Sequence, residues 1–265
     1  MTNPADGLQE KCRTLRLAET AKELPVLLRN AEAESWTYHE FIHKLLSHEL
    51  NCRERKSIDR NMKWADFPYH KTLTEYDLKE QHAIGERQFK LLKELEWVPE
   101  NFTLILMGPP GAGKTHLAVG LGIHAINHGY QVAFISMAEL IYVLKNREYT
   151  SKSRTRYKRI TSSNLVIIDD VMYMTIDPKE ASLFFQFIYE LYDNVAFILT
   201  SNKGPNEWGK FLGDPTLTTA ILDRLLHRSE IISFSEEDDS LRMKYRKTLF
   251  SEISVQSSLR KTVQN

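Results

Sequence analysis

The stretch Thr103 to His116 reads T-L-I-L-M-G-P-P-G-A-G-K-T-H and constrains the chain more tightly than any other. A short apolar run leads into a Gly/Pro turn, and Lys-Thr then opens a helix. Gly108, Gly113, Lys114 and Thr115 satisfy G-x-x-x-x-G-K-S/T, the P-loop pattern. Each residue type answers a demand made by a bound triphosphate. Gly108 and Gly111 can take positive φ where the loop reverses, and Gly113 has no Cβ to hold the backbone off phosphate oxygens. Pro109 and Pro110 stiffen the turn but donate nothing, so the cradling amides come from Gly111, Ala112 and onward through His116. Those amides also start a helix, whose dipole favours an anion. Lys114 supplies a point charge to the β/γ-phosphates, and the Thr115 hydroxyl is the expected Mg²⁺ ligand. The plain alternative is a Gly-rich turn between a strand and a helix. The flanks argue against it: Thr103–Met107 has the pattern of a buried strand, and Leu117, Leu121 and Ala125 form an apolar helix face.

A second half of such a site follows downstream. Leu165–Ile168 is an aliphatic strand ending in Asp169-Asp170, where Asp169 would hold Mg²⁺ directly or through water and Asp170 would polarise an attacking water. Ala196–Leu199 is another buried strand, ending in Thr200-Ser201-Asn202, whose amide would orient water or the γ-phosphate. Strands alternating with helices predict an α/β fold with a parallel sheet and a ligand at the strand C-termini.

The first part of the chain is helical in pattern. Leu17, Ala21, Leu24, Leu28 and Ala31 share one face, with Pro25 expected to punctuate between two helices. Thr37 and Glu40 form a capping box ahead of Phe41, Ile42, Leu45 and Leu46. His39, Glu40 and His43 also spell H-E-x-x-H, a zinc-peptidase pattern, but no third ligand is indicated and Glu40 already has a capping role. A mostly basic run, Arg53 to Lys63, is a solvated helix face or a polyanion contact. The expected organisation is a small helical domain over 1–70, a linker and helix over 71–100 with Lys79–Leu95 helical, an ATPase domain over 101–250 and a tail over 251–265.

A helix is expected from about Met137 to Lys145, after which the sequence turns strongly basic. Lys145, Arg147, Lys152, Arg154, Arg156, Lys158 and Arg159 stand against one acid, Glu148, and are interleaved with Tyr149, Tyr157 and several hydroxyls. This composition suits phosphate contacts, and it shows no strong apolar helix face; the alternative is a solvated crossover. The whole chain sets no global field, because Lys+Arg and Asp+Glu are both 35. At 265 residues, 42% hydrophobic and 26% charged, it has room for a large core and a smaller domain. Isolated Cys12 and Cys52 suggest neither zinc nor disulfides, and no apolar run approaches the roughly 18 residues of a membrane span. A cytoplasmic protein is expected.

Taken together, G-P-P-G-A-G-K-T-H-L-A, V-I-I-D-D, T-S-N-K and L-D-R-L-L-H-R-S, in this order, resemble the IstB type of insertion-sequence helper ATPase, a branch of the AAA+ superfamily close to the DnaC helicase loaders. L-R-L-A, W-T-Y-H-E-F and K-T-L-x-x-Y-D extend the resemblance from about Leu15 to about Phe250. It implies a protein that binds ATP with Mg²⁺, assembles on duplex DNA with little sequence preference, forms homo-multimers and works with a transposase encoded beside it; a helicase loader is the alternative. It also implies residue roles: Lys114 and Thr115 in Walker A, Asp169 and Asp170 in Walker B, Asn202 as sensor 1, and Arg224 as an arginine finger with Arg228 second. Two departures stand out. Asp170 occupies the position where many AAA+ proteins carry a longer glutamate. Only about thirty residues follow Ser233, so a reduced C-terminal lid is expected, with Arg242 the best candidate for sensor 2.

Overall fold

The computed structural model describes residues 4–78, 83–171, 175–204, 207–209 and 215–234, which divide into two compact units after Arg60. The division falls inside a helix, some residues before the expected linker.

The first unit is built from α1 (Pro4–Thr14), α2 (Ala18–Ala33) and α3 (Tyr38–Ala65). Ala21 and Leu24 of the expected apolar face are buried, with Leu17, Leu28 and Ala31 half-buried. Pro25 does not split this segment; it sits inside α2. A proline removes one amide and leaves the carbonyl four residues back without its helical partner. That carbonyl belongs to Ala21, and the Gln9 side-chain amide donates to it at 2.9 Å. The capping box is formed as expected: the Thr37 amide and hydroxyl donate to Glu40 at 2.7 and 2.8 Å, and the Glu40 amide donates back to Thr37 Oγ1 at 3.2 Å. Glu40 is thereby committed, and its carboxyl is held below the usual range by the Thr37 amide and then its hydroxyl. His39 and His43 are exposed, and no group of three or more His, Cys, Asp or Glu suited to a metal occurs among the described residues.

Glu49 is the polar pin of this unit. Buried at 4% exposure, it accepts from the Thr20 amide at 2.8 Å and from Arg53 Nε at 2.9 Å. Burial pushes its carboxyl up, but the Thr20 and Arg53 bonds outweigh that and hold it below the usual range. A depressed carboxylate contributes stability above its unfolded pKa of about 4.3, and that contribution is lost as pH falls through the folded value. We therefore expect Glu49→Ala to destabilise the first unit by about 1–3 kcal/mol at pH 7, the cost of an unsatisfied buried amide. The difference from wild type should shrink at pH below about 4; thermal melts across pH, with hydrogen exchange at the α2 amides, check both points.

The second unit is a five-stranded parallel sheet in the order β2-β3-β4-β1-β5. Its strands are β1 (Thr103–Met107), β2 (Val132–Ser136), β3 (Leu165–Asp169), β4 (Ala196–Ser201) and β5 (Ser229–Ser233). The helices are α4 (Glu86–Glu94), α5 (Lys114–Asn127), α6 (Met137–Asn146), α7 (Ser151–Thr161), α8 (Pro178–Leu191) and α9 (Pro215–His227). Strands β1 to β4 are aliphatic nearly throughout because helices cover both faces of the sheet. Ile105, Ile135, Val166, Ile168, Phe197 and Leu199 share one cluster with residues of α6 to α9. Their neighbours in sequence turn to the other face. There Ile167 and Phe67 press so closely on α5 that a Cβ at Gly122 would lie 2.8 Å from Ile167 Cδ1 and 2.9 Å from the Phe67 ring.

Several elements differ from the sequence reading. Helix α4 begins at Glu86 rather than Lys79, behind the N-cap Gly85; residues 79–82 lie outside the described residues. The basic stretch is helical as α7, started by Thr150, whose hydroxyl accepts from the Ser153 amide at 3.2 Å. Helix α8 is not among the elements expected above, although its start is signalled: Asp177 and Glu180 form a capping box, with Pro178 at the first helical position. Edge strand β5 is likewise additional. The expected reduced lid and Arg242 lie outside the described residues. Among the described residues, no helix is long and apolar enough to cross a membrane.

Candidate nucleotide site

Three strand ends meet at the C-terminal edge of the sheet. From β1 the chain enters the loop, where Gly108, Gly111 and Gly113 have φ of 146°, 86° and 94°. Glycine is required at the first position for a further reason: a Cβ on Gly108 would collide with the Phe234 carbonyl oxygen and lie 2.7 Å from Phe234 Cβ. The loop is tied to both neighbouring strands. Gly108 N–H donates to the Ser201 carbonyl at 3.2 Å, and Phe234 N–H donates to the Met107 carbonyl at 2.8 Å. Gly113, in the left-handed region, is the N-cap of α5. The first amides of that helix have no acceptor within it and face the loop. Ala112 is buried and its amide reaches the Pro109 carbonyl at 3.4 Å.

Lys114, only 5% exposed, is held by three oxygens: its Nζ donates to the Gly108 and Pro109 carbonyls at 2.7 and 2.8 Å and to Asn202 Oδ1 at 2.9 Å. Asn202 therefore stands beside the P-loop lysine. Asp169 Oδ1 accepts from the Thr115 hydroxyl at 2.9 Å and from the Thr200 hydroxyl at 2.6 Å. Burial pushes the Asp169 carboxyl up; the Thr200 bond opposes this, the Asp170 charge adds to it, and the net shift is upward. Asp170 follows with φ of 56°, uncommon for a residue with a side chain. Its amide donates to Thr200 Oγ1 at 2.9 Å.

The His116 imidazole points away from the loop, leaving only its amide to face it. It faces the segment before α4, making an edge contact with Tyr76 at 5.3 Å between ring centroids and a 3.4 Å contact with the Thr72 carbonyl. Burial holds its imidazole below the ordinary value.

Arg224 lies elsewhere. Residue 228, one past the end of α9, accepts the Thr103 amide at 2.8 Å on its carbonyl, at the N-terminal end of β1. The finger candidates are thus at the opposite edge of the sheet from the P-loop. Arg224 is stacked over Tyr189, Phe185 and Tyr192, with its guanidinium carbon 4.8, 5.3 and 5.7 Å from the ring centroids. Its Nη1 donates to the Ala220 carbonyl at 3.0 Å, while its Nε is buried without a hydrogen-bond partner. Arg228 is exposed. Both border a cavity of about 260 Å³ shared with Asp193, Asp223 and His227.

The cations around α7 have divided fates. Arg156 was expected to contact phosphate but is turned inward, 9% exposed, donating to the Phe134 carbonyl at 2.6 Å and pairing with Asp66 at 3.3 Å and Glu139 at 3.4 Å. Lys145 pairs with Glu180 at 2.9 Å. Arg147 stacks on Tyr157, and Arg159 lies over Trp64, 4.6 and 5.4 Å from the respective rings. Arg154 donates to the Glu148 carbonyl at 3.1 Å yet is exposed. Lys152 and Lys158 are exposed, with no ion pair among the described residues.

Loop, lysine, acid pair and asparagine converging from three adjacent strand ends, in this strand order, are the arrangement of the AAA+ class of P-loop ATPases, and this chain is one. It belongs to the family of IstB-like ATP binding proteins, whose sequence model matches residues 10–248. It is 35% identical over 239 residues to the ATP-binding protein of insertion sequence IS5376 from Geobacillus stearothermophilus, spanning 90% of this chain and 95% of that one. To the IS21-like insertion-sequence ATP-binding protein of Bacteroides fragilis it is 36% identical over 244 residues, 92% of each. Its fold is similar to AMPPCP-bound DnaA from Aquifex aeolicus, with a TM-score of 0.52 at 21% identity over 71% of this chain and 57% of that chain. DnaI matches with a TM-score of 0.52 at 17% identity, over 62% and 91%.

Lys114→Ala removes the only side-chain charge placed inside the loop and should abolish ATP binding. Asp170→Asn leaves the loop intact and should spare binding while lowering turnover by about 10²-fold or more. Equilibrium binding of a fluorescent ATP analogue, beside steady-state hydrolysis, separates the two effects.

Proposed function

We propose that this ATPase is the helper of an insertion-sequence transposase: it assembles into homo-multimers on duplex DNA in the cytoplasm and cooperates with the transposase encoded beside it. The observation that carries the DNA part is the outer face of α7. Lys152, Arg154, Lys158 and Arg159 are exposed on a helix that contains no acid. Such a face contacts phosphates by charge and hydroxyls without reading bases. Near-full-length likeness to insertion-sequence ATP-binding proteins at 35–36% identity supports transposition over helicase loading.

The donor set suits Mg²⁺, a hard cation that takes oxygen ligands. Thr115 and Asp169 would hold it, and when bound it neutralises charge developing on the phosphates. Lys114 positions the terminal phosphates, Asn202 senses them and Asp170 orients the attacking water. The arginine that completes the site comes from another subunit. Arg224 and Arg228 stand at the far end of β1, roughly 13 Å from their own P-loop for a rise of about 3.3 Å per residue over the strand. Of the two, exposed Arg228 is free to reach a neighbour, whereas Arg224 would have to leave three aromatic rings.

Two tests follow from this division of labour. Arg228→Ala should lower multimer-dependent ATP hydrolysis by about 10³-fold or more while sparing ATP binding, whereas Arg224→Ala should mainly destabilise the packing of α8 against α9 by about 1–2 kcal/mol. Hydrolysis measured against protein concentration, beside melting curves, distinguishes them; a fully active Arg228→Ala with an inactive but stable Arg224→Ala would reassign the finger. For DNA, Lys152→Ala, Arg154→Ala and Lys158→Ala combined should weaken binding to unrelated duplexes alike and flatten the salt slope, by about 0.9 in log K per log salt for each phosphate no longer neutralised. Unchanged affinity and slope would move the DNA path off α7.

A further inference from the structure

Thr200 is a buried hydroxyl at the end of an otherwise aliphatic strand, with 0% exposure. Its bonds have fixed directions. An ionised carboxylate only accepts, and a backbone amide only donates. The single hydroxyl proton therefore goes to Asp169 Oδ1 at 2.6 Å, and a lone pair accepts the Asp170 amide at 2.9 Å. One residue further, the Thr200 carbonyl accepts the Val171 amide at 2.9 Å. Thr200 thus grips Asp170 from both sides, and Asp170 is the residue in the left-handed region. Such a conformation costs roughly 1–2 kcal/mol and persists only where neighbouring bonds over-determine it.

The same hydroxyl decides which oxygen of Asp169 is free. Oδ1 takes both the Thr200 and Thr115 bonds, and among the described residues Oδ2 accepts none. Two residues on, and so on the same side of the strand, Asn202 holds Lys114.

We infer that Thr200 is a positioning residue for the reaction: its hydroxyl presents Asp169 to the cation and fixes the backbone of Asp170, so that the acid pair is held in register with the lysine and asparagine. The inference rests on the Mg²⁺-nucleotide reading of the site. Thr200 itself is fully buried. It acts through two acids, and its loss should therefore damage cation use and turnover while leaving the P-loop's hold on nucleotide intact.

The test uses the full chain with Thr200→Val, which keeps the shape and removes the hydroxyl, and Thr200→Ser, which keeps the hydroxyl. Four measurements are made on each: kcat, KM for ATP, binding of a fluorescent ATP analogue in EDTA, and the Mg²⁺ concentration giving half-maximal hydrolysis. Thr200→Val should lower kcat and raise the Mg²⁺ requirement by roughly 10- to 100-fold, the usual effect of removing a group that orients a metal ligand. Its metal-free binding of the analogue should match wild type, and Thr200→Ser should restore both lost quantities. If Thr200→Val does not fold by its melting curve, Thr200→Cys, near in size but a weak donor, is expected to show the same split. Wild-type kcat and Mg²⁺ requirement in Thr200→Val or Thr200→Cys overturns the inference, as does an equal loss in Thr200→Ser or a parallel loss of metal-free binding. A wild-type chain that hydrolyses no ATP with Mg²⁺ would instead sink the site reading beneath it.

Discussion

The site depends on one topological constraint: β4, fourth in sequence, is inserted between β1 and β3. Neighbouring strands are about 4.8 Å apart, so the loop after β1 and the acids after β3 are separated by roughly 10 Å, with the end of β4 between them. Whatever occupies that end must satisfy both sides at once. Thr200 faces the acids and Asn202 faces the lysine, while Ser201 is turned to the local backbone, its hydroxyl donating to the Lys203 carbonyl at 2.7 Å and accepting the Lys203 amide at 3.0 Å. Buried polar groups on an aliphatic strand are tolerated only when every one is paired. Here the pairing is also what aligns the chemistry.

Much of this was legible because its signals are local. The P-loop and the acid pair are contiguous, and three buried aliphatic runs mark β1, β3 and β4. What escaped reading was decided by distant partners. Pro25 reads as a break until Gln9 is seen to satisfy the Ala21 carbonyl. Strand β5 is polar at both ends and on the sheet edge, with only Ile231 and Ile232 between. The Thr200 hydroxyl looks like any strand-end hydroxyl, since nothing in T-S-N says that Asp169 and Asp170, thirty residues earlier, lie beside it. Helix α8 is different: D-P-K-E is a local start signal, a capping box with proline at the first helical position.

The basic segment shows how composition misleads when charge is counted without direction. The inward positions of α7 are Ser153, Arg156 and Ile160, spaced three and four apart like any core stripe, but only Ile160 is apolar. An arginine occupies the centre because its guanidinium has acceptors on several sides: the Phe134 carbonyl, the Asp66 and Glu139 carboxylates, and the Trp64 carbonyl at 3.4 Å. The carboxylates are themselves exposed, but the guanidinium is buried, so losing its acceptors would leave a charge that cannot regain its water. Arg156 therefore holds α7 in place, and only the cations on the opposite face are available to the proposed polyanion. Seven basic residues in sequence become a smaller set with a defined orientation.

The arrangement of the sheet also bears on the proposed assembly. In a parallel sheet every strand C-terminus lies at one edge, so β1, β3 and β4 gather the nucleotide groups there. Helix α9 must return to the other edge to begin β5, and it delivers Arg224 and Arg228 to that edge. Sheet register makes this separation rigid: Thr103 pairs with Ser229 and Met107 with Ser233 along the full length of β1. A loop movement of a few ångströms cannot close a gap set by a paired strand. If one of these arginines is the finger, as proposed, it would meet the phosphate site of a neighbouring copy rather than its own. In the assembly proposed above, each copy contributes an arginine to a neighbour's site, and ATP hydrolysis depends on the contact between copies.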